Sequence, residues 1–128
     1  MFKQEYPSTP EEAFVASGRP RFDLKAVKQY ELSAKEPIAI GDVEGHGKFV
    51  DNEKGFVKIY KKPVPNQYYV IGADVAEGLV TGDYSVAVVL DEKCDVVALW
   101  RGHIDPDLFG KELIALGYMY NEAYIGCE

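Results

Sequence analysis

The sequence has no long apolar run, only two cysteines and, over its second half, very few basic side chains. None of its 128 residues falls in a stretch approaching the ~20 consecutive apolar positions that span a bilayer, which excludes a membrane-crossing helix. The opening residues Met1-Phe2-Lys3-Gln4-Glu5-Tyr6 lack an apolar core behind their charges, so they are not read as a secretory signal. Cys94 and Cys127 lie far apart and fit no zinc-ligand spacing. They are read as small buried apolar residues rather than as a disulfide, and the cytosol is the expected compartment. No Gly-rich loop ending in Lys-Ser or Lys-Thr occurs, so these residues offer no phosphate-loop nucleotide motor. No Ser/His/Asp constellation stands out.

What is present is an ordinary globular composition, 47% apolar, at a length suited to one domain or one domain plus part of another. Charge is unevenly divided. Residues 1–67 carry 11 basic and 10 acidic side chains, whereas residues 68–128 carry 3 basic and 11 acidic ones. An acidic lobe of this kind repels nucleic acid unless cations neutralise part of it.

Local patterns predict the elements. Thr9, Pro10 and Glu12 form a capping-box start for a short helix over 7–16. Asp23 caps a second helix from Leu24 to about Ala34, with Leu24, Val27 and Leu32 as its apolar stripe. Pro37 ends the helical texture. Ile38–Ile40, Lys48–Val50 and Phe56–Tyr60 read as strands, and Asp51–Gly55 reads as a hairpin turn between the last two. The proline-punctuated connector 61–66 is expected to mark a boundary. Beyond it, Tyr68–Asp74, Ser85–Leu90 and Asp95–Trp100 read as a meander of strands, the second buried on both faces. Asp105 and Pro106 open a helix whose buried face is Phe109, Leu113, Leu116 and Tyr120, with Asn121 as its stop. Gly110 and Gly117 are expected to allow close packing on a sheet. A last strand, Ala123–Cys127, follows a helical crossover and should run parallel to the first and third of the meander.

Two acids then stand at strand tips on the same end of the sheet. Asp74 follows six uncharged residues and Glu128 follows the last apolar run. Two neighbouring carboxylates repel each other, and divalent cations relieve that repulsion. Such a pair suits hard ions such as Mg²⁺, and two ions held between carboxylates can cleave a phosphodiester. Asp83 could reach back as a further ligand or order the turn with Gly82, Ser85 could hydrogen-bond a carboxylate or simply start a strand, and Glu77 reads as a solvated turn residue that could also act near the metal. His103 is a candidate for proton transfer beside a more ordinary structural role. His46 reads as an exposed turn residue and Asp107 as a partner for the helix dipole. Lys58, Lys61 and Lys62 could meet phosphates or simply be solvated. Because the sequence stops on the second acid, it is expected to be a piece of a longer polypeptide.

The run Glu5-Tyr6-Pro7-Ser8-Thr9-Pro10-Glu11-Glu12-Ala13-Phe14 resembles the segment joining the two domains of tailed-bacteriophage terminase large subunits, the DNA-packaging motor proteins. The later pieces agree in order: Gly72-Ala73-Asp74-Val75-Ala76-Glu77-Gly78, then Gly82-Asp83-Tyr84-Ser85, then Tyr120-Asn121 leading to Ile125-Gly126-Cys127-Glu128. The resemblance implies an α/β, ribonuclease-H-like mixed sheet, truncated here. Residues 1–36 would come from the end of the ATPase domain and linker, 37–66 would form a small β region, and 67–128 the first half of the nuclease domain. It further implies that Asp74 and Glu128 are catalytic metal-binding acids for Mg²⁺ or Mn²⁺, with Asp83 an accessory. A third acid would lie downstream of Glu128, and the ATP-binding domain upstream of Met1.

The implied activity is metal-dependent endonucleolytic cutting of concatemeric double-stranded DNA in the infected bacterial cytoplasm, by two-metal hydrolysis, reading backbone phosphates more than bases. The portal protein and the small terminase subunit would be partners, and no membrane is involved. Two other readings stand beside this one. Actin-like sugar kinases and chaperone ATPases share the sheet order, but Asp74-Val75-Ala76-Glu77-Gly78 lacks their immediate glycine. A non-catalytic docking module would use aromatics among Tyr60, Tyr68 and Tyr69.

Overall fold

The computed structural model describes residues 21–78 and 82–128. The helix expected over 7–16 lies outside these residues. The chain divides into two compact units, Met1–Lys35 and Glu36–Glu128. The described part of the first unit is helix α1, Leu24–Ser33, capped by the Asp23 carboxylate, which accepts the Lys25 backbone N–H. Leu24 and Val27 of its expected stripe are half-buried, while Leu32 is exposed.

Among the described residues, the second unit holds seven strands in one open mixed sheet. They are β1 (Ala39–Glu44), β2 (Lys48–Asp51), β3 (Val57–Ile59), β4 (Val70–Asp74), β5 (Ser85–Leu90), β6 (Val96–Gly102) and β7 (Tyr124–Cys127). Their order is β2-β1-β3-β6-β5-β4-β7. Every pairing is antiparallel except β4 with β7, which is parallel.

The first hairpin differs from the sequence reading. β2 and β3 do not pair; both flank β1. The tight turn is Gly45-His46-Gly47, where both glycines have positive φ, a conformation most side chains resist. Asp51–Gly55 instead carries the chain across β1 at Gly41, from its β2 side to its β3 side. Asp42 organises that passage, accepting from the Asn52 side-chain amide at 2.9 Å and the Phe56 N–H at 3.2 Å. The expected boundary at 61–66 is not a break in the sheet, since β3 pairs with β6 across it. Its backbone carbonyls are held by the far end of the second helix: Lys61 accepts from the Tyr120 hydroxyl at 2.8 Å, and Val64 accepts from the Asn121 amide at 2.7 Å.

That helix, α2 (Pro106–Met119), begins as its sequence predicts. Asp105 caps it, Pro106 sits in its first turn and Asp107 faces the dipole's positive end. Phe109, Leu113, Leu116 and Tyr120 are buried against Val57, Ile59, Ile71, Ala87, Val89 and Trp100. Phe109 meets Trp100 with ring centroids 4.8 Å apart, and Tyr120 meets Tyr69 edge-on at 5.0 Å. Burial, with a smaller contribution from Tyr69, pushes the Tyr120 hydroxyl above its ordinary range and keeps it a donor. Gly117 packs closely, because a Cβ there would lie 3.3 Å from the Ile125 side chain. Gly110 has open space around it, so close packing explains only one of the two helix glycines.

Strand β5 is covered fully on one face alone. Ser85, Ala87 and Val89 are buried, whereas Val86, Val88 and Leu90 are half-covered. Helix α2 lies on the first face, and among the described residues of this unit no helix lies on the second. Both cysteines are exposed and free, contrary to the buried reading. Cys94 sits in the β5–β6 turn at positive φ, and Cys127 on the outermost strand of the described sheet.

Two consequences can be measured by urea unfolding. Gly47 has φ +98, and a Cβ there would lie 2.5 Å from the Met119 backbone nitrogen, so Gly47→Ala should destabilise the unit by more than ~1 kcal/mol. Glu112 on α2 has its carboxyl raised above 4.5, chiefly by burial and then by Asp42 and Glu44. The Trp100 indole N–H opposes this rise, although it is left without a hydrogen-bond partner. A raised carboxyl favours the fold while protonated and loses that advantage as pH climbs through its folded pKa. Glu112→Gln should therefore be more stable than the parent at pH 7, and the gap should close below pH 4.5.

Candidate functional site

Strand alternation decides where Asp74 points. Ile71 and Ala73 are buried toward α2, so Val70, Gly72 and Asp74 stand on the opposite face. On β7, Ile125 packs toward the core, so Tyr124, Gly126 and Glu128 share the face of Asp74. The parallel register runs Val70 with Tyr124 through Ala73 with Cys127, and the Glu128 N–H continues it by donating to the Ala73 carbonyl at 3.0 Å. Asp74 and Glu128 are thus neighbours on adjacent strands, about 4.8 Å apart backbone to backbone.

Beneath them the sheet is bare. The next residues on this face of β4 and β7 are Gly72 and Gly126, which pair with each other. Together with Val86 and Val88 they floor a depression of about 580 Å³ rimmed by Asp74 and Glu128. Asp74 also borders a second depression of about 660 Å³ that includes Glu77, Asp83, Tyr84 and Pro106.

The backbone after Asp74 is fixed from two sides. The buried Ser85 hydroxyl accepts the Ala76 N–H at 2.9 Å, so it supports the loop rather than a carboxylate. Gly78 has φ +84 and lies so close to the Ile104 carbonyl that a Cβ would fall 2.4 Å from its oxygen. Only glycine lets the loop rest on the β6–α2 connection in this way.

The other candidates fall as follows. Asp83 shares a depression with Asp74, yet among the described residues no three Asp, Glu, His or Cys side chains converge as a metal-ligand group. His103 packs its ring on Tyr84 at 4.0 Å, and its buried Nδ1 has no partner. His46 is exposed and rests against Tyr118. Lys61 is engaged by Asp95 at 3.1 Å and more distantly by Asp91, so it is tied to the β5–β6 turn. Tyr69 is in the core, Tyr60 is half-buried and Tyr68 is exposed. Arg101, which the sequence reading passed over, also stands here: its guanidinium lies 3.6 Å over the ring of Tyr84. The signal available in sequence was an arginine isolated in an acidic half.

Solved structures have a similar fold. The large terminase nuclease from the thermophilic phage G20c, with bound zinc, superposes with a TM-score of 0.51 at 25% identity, covering 70% of this chain and 46% of that one. The large terminase nuclease domain of Thermus phage P74-26 gives 0.51 at 26% identity, covering 70% and 42%. The chain is similar to the nuclease domain of phage large terminases. It has their ribonuclease-H-like fold, with the sheet left open. It spans less than half the length of the terminase nuclease chains it matches. No protein-family model matches it, and no curated protein does.

The donor chemistry fits a hard divalent cation. Asp74 and Glu128 are two oxygen-donor groups on one face, and among the described residues neither has a hydrogen bond or ion pair from its carboxylate. A cation between them would relieve their repulsion. Mn²⁺ or Mg²⁺ should therefore raise the melting temperature, by the equivalent of ~2.7 kcal/mol at a hundredfold excess over Kd. Asp74→Asn or Glu128→Gln should remove most of that shift in a calorimetric scan; an equal shift in both variants would rule the pair out.

Proposed function

We propose that this chain is part of a phage terminase large subunit and contributes to a metal-dependent endonuclease that cuts concatemeric double-stranded DNA during genome packaging. The observation that carries this reading is the in-register pairing of Asp74 with Glu128 on the open face of a terminase-like sheet. The zinc bound to the G20c nuclease supports a divalent cation as the working group. Bound Mg²⁺ or Mn²⁺ would supply Lewis acidity for phosphodiester hydrolysis.

The chain's own residues do the holding. Asp74 and Glu128 would provide carboxylate oxygens to the ions, with Asp83 as an accessory across the adjoining depression. Ser85 and Gly78 keep the backbone on the far side of Asp74 from shifting, so its carboxylate is presented from a fixed strand end. The glycines below leave room for a phosphate to approach. The surrounding acidity suits this assignment, since it disfavours DNA until cations arrive.

In the same reading, residues 1–36 derive from the end of the packaging ATPase and its linker. The portal protein and the small terminase subunit are the assembly partners, and the work is done in the cytoplasm of the infected bacterium. Metal-dependent plasmid cleavage by a full-length version tests the core of it, since this fragment alone is expected to be inactive. Losing a ligand that supplies several kcal/mol should make Asp74→Asn at least ~100-fold slower than the parent. Undiminished cutting would remove Asp74 from the reaction.

A further inference from the structure

Arg101 is the only arginine beyond residue 21. It is exposed, lies in the acidic half of the chain, and makes no ion pair among the described residues. Its position on β6 is specific. Arg101 pairs with Val86 of β5, Val86 pairs with Asp74 of β4, and Asp74 neighbours Glu128. Directly opposite residues share a face, so these four side chains form one row across the sheet, on the side away from α2. Two strand spacings put the Arg101 backbone about 10 Å from that of Asp74. That separation lets the two groups serve neighbouring parts of one ligand.

The guanidinium is also held in place. Its Cζ is 3.6 Å above the Tyr84 ring, and the other contact of that ring is His103 at 4.0 Å. Tyr84 lines the same depression as Asp74 and Asp83. Stacking on an aromatic face restrains an arginine without using its N–H donors, which stay free for an anion. Arginine presents two parallel donors to a phosphate, and a guanidinium fixed beforehand loses less freedom on binding.

We propose that Arg101, seated on Tyr84, binds a backbone phosphate of the DNA adjacent to the one that meets the Asp74–Glu128 pair. This rests on the nuclease reading above. The arrangement gives an acidic site a fixed cation for the neighbouring phosphate, too far along the row to neutralise the carboxylates that must hold metal. It orients the strand and takes no part in the bond cleavage.

The test is duplex-DNA affinity as a function of salt, with divalent ions held constant, read by fluorescence anisotropy. Arg101→Gln should weaken binding several-fold and lower the salt-dependence slope by about one. Lys93→Gln, the same charge change in the turn at the opposite end of the sheet, should leave the slope near that of the parent. Tyr84→Phe should bind like the parent, while Tyr84→Leu should weaken binding with the charge retained. The cation-induced rise in melting temperature should persist in Arg101→Gln, which separates loss of DNA contact from loss of the metal site. An Arg101→Gln slope equal to that of the parent or of Lys93→Gln would overturn the phosphate contact and leave the nuclease reading standing. Parent-like affinity in Tyr84→Leu would overturn the platform. Absence of any DNA binding by the unsubstituted protein would overturn the contact together with the nuclease reading.

Discussion

One parallel strand pairing carries the candidate site. Strand β7 bonds to β4 from Tyr124, whose N–H donates to the Tyr69 carbonyl, through Glu128, whose N–H donates to the Ala73 carbonyl. Side chains alternate along a strand, so a slip of one residue would turn Glu128 to the α2 face and separate it from Asp74. The register is set at a distance. Tyr120 and Asn121 anchor the end of α2 to the 61–67 connector, Asn121 and Glu122 take the positive φ that redirects the chain, and Gly117 lets Ile125 seat closely against the helix. Core packing on one side of the sheet thereby positions charge on the other.

The two faces divide the labour. The face under α2 is dominated by Trp100, Phe109, Leu116, Tyr120 and the small residues of β5, and it is where burial stabilises the unit. The other face bears the row Arg101, Val86, Asp74 and Glu128 above a glycine floor, and there charge is hydrated and available. Carboxylates in contact with water can remain ionised without a protein partner, which an unpaired buried pair could not do at tolerable cost. Placing the two acids at strand ends on the solvated face reconciles local acidity with a stable fold.

Much of the fold could be read from local chemistry. The α2 start follows from Asp105 and Pro106, its buried stripe from helical spacing, and β5 from an unbroken apolar run. The errors have local causes too. Asp51–Gly55 has the composition of a hairpin turn, but Asp42 accepts from the Asn52 side-chain amide and the Phe56 N–H, and the segment crosses β1 at Gly41 instead. The 61–66 connector has the composition of a linker, yet its carbonyls find donors on the end of α2. Of the two readings of Ser85, strand start and support for a carboxylate, the first holds, since Ser85 opens β5, and its hydroxyl accepts the Ala76 N–H. Each misreading arose where a polar group found a partner distant in sequence, which no window of neighbouring residues reveals.

From sequence alone came the element types, the two strand-end acids and the acidity around them, because apolar periodicity, capping residues and charge counts are local properties. The tertiary structure decided which strands pair, that Asp74 and Glu128 share a face, and that Arg101 joins their row on a Tyr84 platform. Those facts depend on register and on which face a helix covers, and both are set by packing between segments dozens of residues apart.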